Sequence, residues 1–168
     1  MSTHAAVTAI IKSLDEVFSP MDAEVLAATK VWAEERMAAV AAFRASDEAK
    51  EYLARRDSWG YYDRVFALAG GKSWYQALNG RNQAGREEVV TKNCAAIAAK
   101  RNAGIAKKLQ AAGVTSVEST TYTRTTDGFD GTFVVLTDAG RKVVTVNTIR
   151  AGGYNIQCLH LRVLTKVK

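Results

Sequence analysis

Apolar residues at the start of the chain recur at three- and four-residue steps, through Val7, Ile10, Ile11, Leu14, Val17 and Phe18. That spacing lays a single stripe along a helix. Ser19-Pro20 is expected to end this helix and open the next, with Ser19 as N-cap and Pro20 in the first turn, where no amide hydrogen is needed. From Met21 to Arg44 the chain is alanine-rich and free of glycine and proline. Leu26, Trp32 or Ala33, Met37, Val40 and Phe43 supply the buried side of that second helix. Ser46, followed by Asp47, Glu48 and Ala49, reads as another helix start, with acids set against the positive helix end.

Between Tyr52 and Tyr75 the texture changes. Trp59, Tyr61, Tyr62, Phe66, Trp74 and Tyr75 crowd together, interrupted by Gly60 and by Gly70-Gly71. Short helices capped by Ser58 and Ser73 fit this pattern, and Asn79-Gly80 closes it as a turn. A long helix is expected from Gln83 to Ala112, stopped by Gly113. Its apolar stripe runs through Val90, Cys94, Ile97, Ile105, Leu109 and Ala112, with Arg101 and Lys108 on its border. Lys92, Asn93, Lys100 and Lys107 share a neighbouring face.

After Gly113 the period drops from helix to strand. Val117 to Arg124 is threonine-rich and alternating, Asp127-Gly128 and Asp130-Gly131 suggest a turn, and Thr132 to Thr137 reads as a strand. Asp138-Ala139-Gly140 is a tight hairpin connection with glycine placed for a positive φ. Arg141 to Ile149 pairs back, Ala151-Gly152-Gly153 turns again, and a last strand runs from Tyr154 or Asn155 to Lys166. The expected class is α+β: a helical N-terminal half, then a four-stranded antiparallel meander packed on the long helix. Gly80 is the expected boundary between a helical, aromatic-rich segment (1–80) and a basic helix-plus-sheet segment (81–168).

Composition adds two constraints. With 48% hydrophobic and 24% charged residues, the chain suits a globular protein able to bury a core without metal or disulfide. Two distant cysteines, Cys94 and Cys158, suit a reducing, cytoplasmic compartment. No basic cluster precedes an apolar run in Met1 to Phe18, and the longest apolar run, Met37 to Phe43, is too short to span a bilayer, so no membrane association is expected.

Charge alters the picture more. Residues 1–80 hold 9 Lys+Arg against 11 Asp+Glu, whereas residues 81–168 hold 14 against 6. A C-terminal half with that excess suits a polyanion or an acidic protein, or serves only solubility.

Catalytic signatures fail on inspection. Gly70-Gly71-Lys72-Ser73 echoes the end of a phosphate-binding loop, but that motif needs glycine where Phe66 stands and a strand where the pattern is helical. Cys158 and His160 share a strand face, yet a zinc site needs more ligands at recognisable spacing. Asp127, Asp130 and Asp138 sit where short acceptor side chains bond turn backbone. The chain therefore reads as non-catalytic, with no cofactor and no metal.

Two binding surfaces remain. The first is basic: Lys92, Lys100 and Lys107 on the long helix with Arg141, Lys142, Arg162 and Lys166 from the sheet, together with the tail residue Lys168. On the last strand Leu159, Leu161, Val163 and Val167 are expected to face the helices, leaving Arg162 and Lys166 outward. Such a surface tracks phosphates of DNA or RNA without reading sequence. The second is aromatic, with Trp59, Tyr61, Tyr62, Trp74 and Tyr75 as either subdomain core or partner anchors. The leading expectation is a nucleic-acid-binding accessory protein. The alternative is an interaction module, an inhibitor or adaptor of the kind mobile elements encode, docking on an acidic protein.

Overall fold

The computed structural model describes residues 3–126, 128–151 and 160–168. Among them are five helices followed by an antiparallel sheet, an α+β architecture: α1 (Thr3–Ala45), α2 (Asp47–Ala54), α3 (Ser58–Leu68), α4 (Lys72–Leu78), α5 (Gln83–Ala111), β1 (Val114–Thr125), β2 (Gly128–Thr137), β3 (Gly140–Ala151) and β4 (His160–Val167). The sheet is a meander of order β1-β2-β3-β4. Two compact units are present, one holding residues 3–24, 95–151 and 160–168, the other residues 25–94.

The expected break at Ser19-Pro20 does not occur, because α1 runs unbroken with Pro20 inside it. Proline removes one amide bond and crowds the carbonyl of Glu16, at a cost of about 3 kcal/mol. Burial on both sides of Pro20 offsets that cost. Leu14 and Phe18 before it and Met21 after it all enter the same core.

In the first unit that core lies between the sheet and two helical segments, the start of α1 and the C-terminal part of α5. Ile10, Leu14 and Phe18 of α1 and Ile105 and Leu109 of α5 meet Phe129, Phe133, Val135, Val144 and Val146 of the sheet. The alternation of these strand residues is what puts them all on one face. Phe18 and Phe129 pack edge to face at 5.0 Å. The Tyr122 and Ser13 hydroxyls, 2.7 Å apart, tie β1 to α1. Burial pushes the Tyr122 phenol above its ordinary value. The β2–β3 connection is the expected hairpin, with Gly140 at φ 101. Its backbone is bonded by Thr137, whose Oγ1 accepts from the Ala139 amide at 3.2 Å and donates to the Gly140 carbonyl at 2.8 Å. Asp130-Gly131 is not a turn. Both residues lie inside β2, where Asp130 pairs with Thr123 on one side and Asn147 on the other. Asp127 and the Gly152-to-Leu159 stretch fall outside the described residues.

The second unit is helical. Val40, Phe43, Ala49, Val65 and Ala69 form one cluster, and Ala33, Trp74, Leu78 and Val90 form another. Ser46 caps α2 as expected, accepting from the Ala49 amide at 3.2 Å. The other two caps differ. Asp57 rather than Ser58 opens α3, accepting from Gly60 at 2.9 Å, and Gly71 rather than Ser73 opens α4. Gly70 is required twice over: its φ is +82, and a side chain there would strike the Trp32 ring at 2.6 Å.

Candidate nucleic-acid interface

Helix α5 carries a run of free positive charge in the first unit, and sequence explains why. From Val89 to Val117 the chain contains Lys92, Lys100, Arg101, Lys107 and Lys108 and no acidic residue. Leu109 and Ile105 turn one side of the helix into the core, so residues on other sides stand in solvent. Lys100 and Lys107, seven residues apart, lie on one face, and Lys108 lies a turn beyond Gly104. All three lysines are exposed, and none has an ion-pair or hydrogen-bond partner among the described residues.

Arg101 has a different fate. Its guanidinium holds both Asp22 oxygens at 2.6 and 2.9 Å, and its side chain is 5% exposed. Charge grouped by compact unit is accordingly more even than charge grouped by half of the sequence. The first unit has 12 Lys+Arg against 8 Asp+Glu and the second 11 against 9. Acids from α1 return to the basic half, Asp22 to Arg101 and Glu24 to Arg124 at 3.6 Å.

The remaining described members of the expected basic set fall to the second unit (Lys92) and to both faces of the sheet in the first. Lys92 belongs to the second unit and donates to Glu88 at 2.6 Å, holding that carboxyl below its ordinary value. Arg141 is committed to Glu118 at 2.6 Å. Lys142 pairs in register with buried Val135 and is half-buried on the helix-facing side of the sheet. Lys166 pairs with Thr145 on the outward side and is exposed. Arg162 pairs in register with Ile149, and its side chain is outside the described set. Lys168 continues the ladder through backbone bonds to Val143 at 2.9 and 3.1 Å.

Beside α5 lies the edge strand β4. Ile97, Lys100, Arg101, Gly104, Ile105 and Lys108 of the helix, with Val163 and Thr165 of the strand, line a groove of about 280 Å³. Its floor is apolar and its rim basic. Lys108 and Gly104 were absent from the expected basic set. The acid-free run and the 100/104/108 spacing were the sequence signals that point to them.

The chain matches no family model, no curated protein and no solved structure.

The aromatic set splits by burial. Trp74 is 3% exposed, packed edge to face on Trp32 at 5.5 Å, and is core. Tyr61 is half-buried against Phe43 at 5.4 Å. Tyr75 is half-buried against Phe66, and its hydroxyl accepts from Arg44 at 2.5 Å. Trp59, at 84% exposed, and Tyr62, at 49%, stand out from α3. With Ser58, Asp63 and Phe66 they line an open hollow of about 360 Å³. Lys72 sits 6.0 Å from the Phe66 ring centroid.

Among the described residues no three His, Cys, Asp or Glu side chains converge as a metal site would need. Cys158 and the His160 side chain are outside that set. Among the described residues no helix is long and apolar enough to cross a membrane.

Proposed function

We propose that this chain is a non-catalytic nucleic-acid-binding accessory protein whose phosphate-holding surface is the exposed face of α5. One observation carries the reading: Lys100, Lys107 and Lys108 are solvent-exposed, without a partner among the described residues, and set in a stretch with no acid from Val89 to Val117. Cations that have no internal counterion are free to displace the counterions of a nucleic acid, which is the main source of sequence-independent affinity. Lys166 is exposed on the opposite, outward side of the sheet and is not part of this face. Fluorescence anisotropy at low salt with single- and double-stranded DNA and RNA tests the reading. Binding that falls on Lys100→Ala/Lys107→Ala and is kept on Arg141→Ala supports it, since Arg141 already holds Glu118. Absence of binding to all four removes it.

A protein partner is the second reading, favoured by Trp59 and Tyr62 on α3. An exposed tryptophan beside a tyrosine and cations has the composition of an interface anchor. An acidic partner would then be captured by the native chain and lost on Trp59→Ala.

A further inference from the structure

We infer that the groove between α5 and β4 is where the strand sits, and that it takes a single-stranded phosphodiester chain in preference to a duplex; this rests on the nucleic-acid reading above. Lys100 and Lys108 stand one turn to either side of Gly104, about 12 Å apart along the helix. Neither ammonium group has a partner among the described residues. Gly104 leaves open space between them, since a side chain there would meet nothing within 4 Å. A backbone phosphate can therefore come close to the helix between two cations.

The floor decides which strand form fits. Half-buried Ile97 and Val163 present apolar surface above buried Ile105, and Arg101 is not available to phosphate because Asp22 holds it. A duplex turns its bases inward and would lay charged backbone on that apolar floor. A single strand has unstacked bases and sugars that cover apolar surface while its phosphates meet the lysines. Among the described residues no aromatic ring lines the groove, and contacts from lysines to phosphates carry no sequence information.

Gly104→Glu supplies the test. Its carboxylate is four residues from both Lys100 and Lys108, the spacing of intrahelical ion pairs, and the open space admits it. Gly104→Ala fills the same position without charge. Anisotropy with a labelled single strand and a duplex of equal length should show the native chain holding the single strand about tenfold more tightly, because only the single strand covers the apolar floor. Gly104→Glu should cost that binding about tenfold and lower the log–log salt slope by roughly 1.4, two contacts at about 0.7 each. Gly104→Ala should stay within about twofold of the native chain, because it changes no phosphate contact. Equal binding of duplex and single strand, or a Gly104→Glu protein that binds as before, overturns the groove while leaving the nucleic-acid reading intact. Equal losses for Glu and Ala also overturn it, because the effect is then not one of charge. A native chain that binds neither strand removes the underlying reading as well. Sodium phosphate should displace the strand no better than sodium chloride at equal ionic strength. Displacement by phosphate alone would make a free anion the ligand and overturn the strand assignment.

Discussion

Arg101 and Asp22 face each other through two parallel hydrogen bonds, Nη1 to Oδ1 at 2.6 Å and Nη2 to Oδ2 at 2.9 Å, while the guanidinium lies 3.8 Å from the centroid of the Phe18 ring. The bond pair joins α1 to α5 within the first unit and removes one cation from the surface charge. Removing one partner of a pair this enclosed strands the other, which costs about 3–5 kcal/mol when both are buried. The Asp22 side chain is 33% exposed, so Asp22→Ala is expected to cost about 2–3 kcal/mol in urea unfolding. Adding Arg101→Met should return most of that loss, because the stranded charge goes and the contact with Phe18 is kept. A loss below about 0.5 kcal/mol, the scale of ordinary surface changes, would contradict this.

Burial separates the two tryptophans at either end of the aromatic segment. Trp74→Ala is expected to destabilise the protein by about 3–5 kcal/mol, the range for a large buried ring. Trp59→Ala should cost under about 0.5 kcal/mol, since most of its surface is in water. Chemical unfolding of the two variants checks the contrast, and comparable losses would refute it.

In the second unit Arg86 donates from Nε and Nη2 to Glu34 at 2.8 and 2.6 Å. The hydrogen bonds from Arg86 hold the Glu34 carboxyl below its ordinary value of 4.5 and raise Arg86 in turn. A carboxyl lowered in the folded state stabilises fully above its unfolded value, and that stabilisation is lost as pH falls through the folded one. The stability gap between the native chain and Glu34→Gln should therefore be flat from pH 7 to about 5 and shrink on further acidification. Urea midpoints across that range measure it. A gap that widens in acid would contradict the pairing.

Features governed by short-range chemistry were legible in the sequence. Ser46 before two acids, and glycine after Asp138-Ala139, each specify a cap or a turn within a few residues. What was not legible depended on distant partners. Pro20 looks like a helix boundary until Phe18 and Met21 are seen in one core. Asp130-Gly131 has turn composition, yet pairing with Thr123 and Asn147 holds it extended. Charge counted by halves overstates the free basic surface, because Asp22 and Glu24 fold back onto Arg101 and Arg124. Trp59 and Trp74 cannot be told apart by residue type, since only packing decides which ring is covered. Lys92 was expected in the phosphate-binding set, and its four-residue spacing from Glu88 is the signal that instead pairs it within the helix.

The central claim is that unpaired lysines on α5 hold phosphates, and the salt dependence of binding measures it most directly. The native chain and the Lys100→Ala/Lys107→Ala/Lys108→Ala variant would be titrated against one labelled single strand across a salt series. Each phosphate contact contributes about 0.7 to the magnitude of the log–log slope for a single strand, so three lost contacts should reduce it by roughly 2. The three side chains are exposed, so the unfolding midpoint should move little. A reduction of that size at unchanged stability is the predicted result. A slope and affinity identical to those of the native chain would mean that these lysines serve only to solvate the helix, and would contradict the account.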